Sequence, residues 1–174
     1  TSIYLDMTNV GSSQIAGYSK IDLVSRVGNN GYVRFDFEGL EVDSIAGSNV
    51  ASFYADDSTV LVSFNSPLNL GEQTQVRIYY HGSPIKDASG WGGFYFSAPF
   101  AWNLGVGFAS DPHSYGRVWF PCFDNFIERT TFDFHIKVNN DRTASCNGLL
   151  DSISSNGDGT STHHWSLAQS IPSY

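Results

Sequence analysis

Thr131-Phe132-Asp133-Phe134-His135-Ile136-Lys137-Val138 alternates apolar and polar residues with a period of two. In a strand that period sends successive side chains to opposite faces. Phe132, Phe134, Ile136 and Val138 therefore share one face, and Asp133, His135 and Lys137 share the other, as in a half-buried strand. The pattern recurs along the chain. Val33, Phe35 and Phe37 stand opposite Arg34 and Asp36; Val60, Val62 and Phe64 form another set, and Val76, Ile78 and Tyr80 a third. Asn29-Asn30-Gly31, Asp56-Asp57-Ser58, Asn69-Leu70-Gly71 and Ser155-Asn156-Gly157-Asp158-Gly159 lie between such runs, with the turn chemistry that joins strands. Short strands at close spacing predict an all-β fold, an antiparallel β-sandwich or saddle-shaped sheet with little or no helix. No internal repeat and no Pro-rich or charged linker divides residues 1–174, so a single domain is expected.

Composition narrows the functions. The 174 residues are 41% hydrophobic, enough for a core without metals or disulfides. Seventeen carboxylates against nine basic side chains give a net charge of -8, which repels phosphate backbones and anionic lipids. Nucleic acid is excluded as a partner on that ground. Apolar runs such as Val60-Leu61-Val62 fall far short of the roughly 20 residues of a membrane-spanning helix, so no membrane span is expected. Residues 1–6 carry neither the basic nor the apolar region of a signal peptide. Low Lys content with abundant Ser, Asn, Gly and Tyr suits a periplasmic or extracellular protein. The two cysteines, Cys122 and Cys146, read as buried strand thiols, with one disulfide as the alternative.

Residues 90–120 break the alternation with Gly90-Trp91-Gly92-Gly93-Phe94-Tyr95-Phe96, Trp102-Asn103-Leu104-Gly105-Val106-Gly107-Phe108 and Asp111-Pro112-His113-Ser114-Tyr115-Gly116-Arg117. Close-approaching glycines and large aromatics make this either a tightly packed region or an interface. Catalytic constellations are missing. None of His81, His113, His135, His163 and His164 has a partner at the spacing of H-E-x-x-H, and His163 and His164 are adjacent, so on a strand their rings point to opposite faces. There is no G-x-S-x-G elbow, phosphate loop or dinucleotide fingerprint. Glu38 with Glu41, and Asp56 with Asp57, read as solvated carboxylates at strand ends and turns.

Arg117-Val118-Trp119-Phe120-Pro121-Cys122-Phe123-Asp124, followed by Arg129-Thr130-Thr131-Phe132, is the most specific block. Pro121 cannot donate to a ladder and belongs at an edge or turn. Asp124 suits an acceptor of turn N–H groups. Arg117 is placed either to pair with Asp124 across the turn or as a surface cation. The block resembles Arg-x-x-x-Pro-Cys-Phe-Asp-Glu-Pro-x-x-Lys-Ala-x-Phe of the N-terminal β domain of the aminopeptidase N family of zinc metallopeptidases (gluzincins). Arg129 stands for the usual Lys, and Asn125-Phe126 replaces Glu-Pro, as in a divergent bacterial-type member. Tyr79-Tyr80-His81-Gly82 is similar to the end of an early strand of that domain, and Ile171-Pro172-Ser173-Tyr174 to a segment leading into its last strand.

The resemblance implies a non-catalytic domain that packs on its own C-terminal catalytic domain and walls the substrate cleft. Zinc, its H-E-x-x-H ligands and the exopeptidase loop belong to that other domain, so this chain alone is expected to hold no cofactor and to hydrolyse nothing. The parent is expected to be a zinc-dependent aminopeptidase. The domain would also meet the amino terminus of the peptide substrate, through a residue five positions before the motif arginine. Here that position is Pro112. Asp111 is then the substitute candidate, with Ser110 and His113 as polar neighbours, unless Asp111-Pro112 simply starts a turn. The other reading is a free-standing carbohydrate- or ligand-binding β-sandwich that uses Trp91, Tyr95 and Trp102 as a stacking platform.

Overall fold

A computed structural model describes residues 1–174 as twelve strands, with helix confined to single 3-10 turns at Val10–Ser12 and Gly116–Val118. The strands are β1 (Ser2–Asp6), β2 (Ile15–Val24), β3 (Asn30–Asp36), β4 (Glu41–Ala46), β5 (Val50–Ala55), β6 (Thr59–Leu68), β7 (Gln73–Gly82), β8 (Gly92–Ser97), β9 (Phe100–Gly107), β10 (Thr130–Asn139), β11 (Leu149–Ser155) and β12 (Thr160–Ile171). Seven of them form one sheet in the order β11-β12-β10-β1-β2-β7-β4; β3-β6-β5 and β8-β9 form two smaller ones. No helix is long and apolar enough to cross a membrane. The all-β expectation holds. Pairing is antiparallel except where β1 runs parallel to β10, Ile3 opposite Phe134 and Leu5 opposite Ile136. Alternation fixes which face a side chain takes but carries no information on strand direction.

The quoted stretch lies in β10, with Phe132, Phe134, Ile136 and Val138 all buried. They share the inner face of the large sheet with Ile3 and Leu5 of β1, Ile21 of β2, and Val76, Ile78 and Tyr80 of β7. Both small sheets pack on this face. Phe35, Val60, Val62 and Phe64 cover one part, where Phe37 meets Tyr80 edge to face at 5.2 Å. The β8-β9 ribbon covers another through Phe94, Trp119 and Phe134. The Ser19 and Tyr80 hydroxyls satisfy each other inside this core, 3.4 Å apart.

The outer face carries a ladder of rings in cross-strand register. Tyr79, Tyr18, Tyr4, His135 and His164 come from β7, β2, β1, β10 and β12. His135 is sandwiched between Tyr4 at 4.1 Å and His164 at 4.2 Å, both nearly parallel to it. The Arg77 guanidinium lies over Tyr18. The turns keep their expected chemistry, with positive φ at Asn29 and Gly71. Tyr79-Tyr80-His81-Gly82 ends β7, as expected. Ile171 closes β12, and residues 172–174 leave that strand.

Candidate functional site

The motif folds into a buried ionic knot. Cys122 exchanges backbone hydrogen bonds with Asp36 at the end of β3 (2.8 and 3.1 Å), and Pro121, with no N–H to donate, sits fully buried just before that bridge. The Asp124 side chain is 1% exposed. Its carboxylate accepts the N–H groups of Gly116 (3.1 Å) and Arg117 (3.3 Å), the Arg117 Nη1 (2.8 Å) and the Ser173 hydroxyl (2.6 Å). Its own N–H donates to Asp36 Oδ2 at 2.9 Å, and its carbonyl accepts Ser114 Oγ at 2.9 Å. Arg117 is therefore no surface cation. Its Nε donates to Glu38 Oε2 at 2.9 Å, its Nη1 also reaches the Ser114 carbonyl, and its guanidinium lies over Tyr115. Glu38 and Asp124 together hold the guanidinium charged despite its burial. Glu38, expected to be merely solvated, is thus half of an ion pair.

The knot joins three separate segments: the end of β3, the stretch before Pro121, and residues 172–174. Asn125, where the family has Glu, caps the next turn by accepting the N–H groups of Ile127 and Glu128 at 2.8 Å. Phe126 packs edge-on against Tyr174. Phe123 packs on Phe35 and Phe132 joins the core, whereas Arg129 faces solvent and enters no ion pair. Both cysteines are free. Cys122 is buried and Cys146 is half-buried, and neither lies within a strand as expected. Burial, with the Asp124 and Asp36 charges next, pushes the Cys122 thiol well up; burial alone pushes Cys146 up to about 12. Neither is a nucleophile at neutral pH.

Ser110, Asp111 and His113 lie on the loop that leaves β9, but they do not converge. The loop closes on itself where the Gly107 N–H donates to the His113 carbonyl at 2.9 Å. Ser110 Oγ donates to Asp87 Oδ2 at 2.8 Å, and His113 Nδ1 lies 3.2 Å from the Gly107 carbonyl. Asp111 is exposed at the tip, beside Pro112. Sequence reading missed Asp87, the buried carboxylate that organises this loop. Its local signature is Asp87-Ala88-Ser89, an Asx turn in which the Ser89 N–H donates to Oδ1 at 3.0 Å. Its contacts with Ala109 and Ser110 are long-range, and no local pattern shows them.

The aromatic segment is a ribbon whose rings are largely occupied by one another. Tyr95 and Trp102 sit opposite each other and stack at 5.3 Å, 5° from parallel, with the Lys86 ammonium 5.0 Å from the Tyr95 centroid. The Tyr95 hydroxyl accepts the Gly92 N–H and donates to the Gly90 carbonyl. Trp91 stacks instead with Phe108. Trp91, Tyr95 and Trp102 therefore form no common flat platform for a sugar ring. No three His, Cys, Asp or Glu side chains converge as a metal site. The paired His135 and His164 do not make one either, because rings stacked face to face cannot aim their nitrogens at one ion between them.

The Peptidase M1 N-terminal domain model matches residues 29–174. No curated protein matches the sequence. Among solved structures, the fold matches the M1 zinc metallopeptidase from Deinococcus radiodurans with a TM-score of 0.87 at 22% identity, over 99% of this chain and 39% of that one. A mutant of the Deinococcus radiodurans enzyme bound to a Tyr-Ser-Ala substrate matches equally, with a TM-score of 0.87, 22% identity and the same 99% and 39% coverage. A mutant two-domain M1 zinc metallopeptidase bound to L-arginine gives a TM-score of 0.87 at 21% identity, again over 99% and 39%. The chain thus spans about two fifths of the length of these structures. With the Arg117–Asp124 knot in the matched region, the chain belongs to the family of peptidase M1 N-terminal domains.

Proposed function

We infer that this domain is the non-catalytic amino-terminal part of a zinc aminopeptidase, packed against a catalytic domain and walling its substrate cleft. The observation that carries this reading is the family match over residues 29–174, which includes the whole buried knot. Zinc, held by the other domain, would polarise the scissile carbonyl and activate a water. This domain contributes shape and a contact to the free amine. Asp111 is the residue for that contact: its exposed carboxylate stands at the tip of the closed 107–113 loop, beside the family anchor position. A charge-assisted hydrogen bond to an ammonium group is about twice as strong as a neutral one.

Two measurements test the reading. The full-length protein is expected to release unblocked amino acids from chromogenic amides and to lose that activity to a chelator, while residues 1–174 alone show neither activity nor stoichiometric zinc. A full-length protein inactive on every unblocked substrate sinks the assignment. Asp111→Ala is expected to raise KM for such substrates about tenfold or more, the value of one charge-assisted hydrogen bond, with kcat little changed. An unchanged KM removes Asp111 from the site.

A further inference from the structure

We propose that Asp87 is a positioning residue: from below, its buried carboxylate sets the conformation of residues 107–111, so that Asp111 is presented ready-made to the substrate amine. This rests on the function inferred above. Asp87 lies before β8 and the loop follows β9, so the side chain closes the base of the ribbon. Its carboxylate accepts the Ser89 N–H (3.0 Å) and hydroxyl from its own side, and the Ala109 N–H (3.0 Å) and Ser110 hydroxyl (2.8 Å) from the loop. The Ala109 N–H is a backbone donor with a buried acceptor, so the loop cannot lift away without leaving both unpaired.

The approach is close at Gly107, where a Cβ would stand 2.6 Å from Asp87 Oδ2 and 2.9 Å from Ser110 Oγ, so a side chain there would displace the carboxylate or the hydroxyl. Around Asp87 the supporting turn is itself saturated. The Gly90 N–H donates to the Asp87 carbonyl, Trp91 N–H to Ser89 Oγ, and Gly92 N–H to Tyr95 Oη. The Ser89 hydroxyl first, then the Ala109 N–H and the Ser110 hydroxyl, hold the Asp87 carboxyl well below the usual carboxylate range against the opposing effect of burial. It therefore stays an acceptor throughout the neutral range. A loop so fixed loses little freedom when a ligand arrives, which is the advantage of a preorganised site.

Asp87→Ala in the full-length protein, and in residues 1–174, tests this with two readouts. Alanine removes both carboxylate oxygens, whereas an asparagine could keep an acceptor at the Oδ1 position that the Ser89 and Ala109 N–H groups use. Hydrogen exchange at the Ala109 amide is expected to quicken about tenfold or more, the loss of one hydrogen bond to a charged group, while the Val62 and Ile78 amides in the core stay protected. KM for unblocked substrates is expected to rise about as much, with kcat within about twofold. Ser89→Ala removes one supporting donor outside the loop and is expected to move both readouts the same way by less; it serves if the first variant fails to fold. Quickened exchange with an unchanged KM overturns the positioning role, and unchanged exchange overturns the clamp. A wild-type protein without activity on unblocked substrates overturns this proposal together with the function, and is told apart from the other failures by the wild-type assay alone.

Discussion

Arg117 neutralises a carboxylate whose side chain is 1% exposed, so removing it strands a charge that has no route to water. Arg117→Ala is expected to destabilise the domain by about 3–5 kcal/mol, the range for breaking a buried pair from one side. Urea unfolding at neutral pH checks this, with the m-value unchanged. Arg117→Lys recovers only part of the loss, because a single ammonium cannot serve Glu38, Asp124 and the Ser114 carbonyl from a planar fork. The Arg117–Asp124 pair was legible in the sequence because its two members are seven residues apart on one turn. Glu38 was not, being 79 residues away, and nothing local distinguishes an ion-paired glutamate from a solvated one. Asp87 was missed for the same reason: half of its role is the Asx turn at Ser89, and the other half lies across the ribbon at Ala109 and Ser110.

The β8-β9 ribbon shows what patterning conveys at the level of an element. Residues 90–108 carry so many glycines and aromatics that alternation fails there, and the choice between core and interface stayed open. The structure shows packed and exposed rings side by side. Phe94 is buried against the large sheet, while Trp91 and Phe108 stack with 56% and 62% of their surfaces exposed. The irregularity has a cause in Gly92, which bulges the ladder at φ 121° and brings its Cα where a Cβ would stand 1.8 Å from the Val106 carbonyl oxygen. Gly92→Ala is therefore expected to part the ribbon base, at a loss of about 2 kcal/mol or more. The near-UV circular dichroism of the Tyr95–Trp102 stack should weaken with it. Retention of that signal together with wild-type stability contradicts the account. By contrast β10, β6 and β7 were readable strand by strand, since one of their faces is core and the other is not.

Three sheets sharing one inner face account for the whole molecule, and the outer face of the largest contributes to its response to acid. His135 is held below the ordinary histidine range by burial first and by the neighbouring His164 second, with Lys20 adding to the effect and Asp133 opposing it. An unfolded chain therefore takes up that proton at higher pH than the folded one, so stability rises with pH across the window below about 6.5. Thermal unfolding is expected to show Tm falling as pH drops from 7 toward 5, and His135→Gln to flatten that slope; an equal slope in the variant contradicts the assignment. The all-β class, the strand faces and the turns were all present in the sequence, but sheet order was not, since faces do not specify neighbours. The place of β1 has a further consequence. Its two partners are β2, a short hairpin away, and β10, more than a hundred residues later. During synthesis β1 precedes β10 by more than a hundred residues, and its second edge stays unpaired until β10 is made. Through that interval an apolar strand is open to wrong partners, so the domain depends on slow, long-range closure.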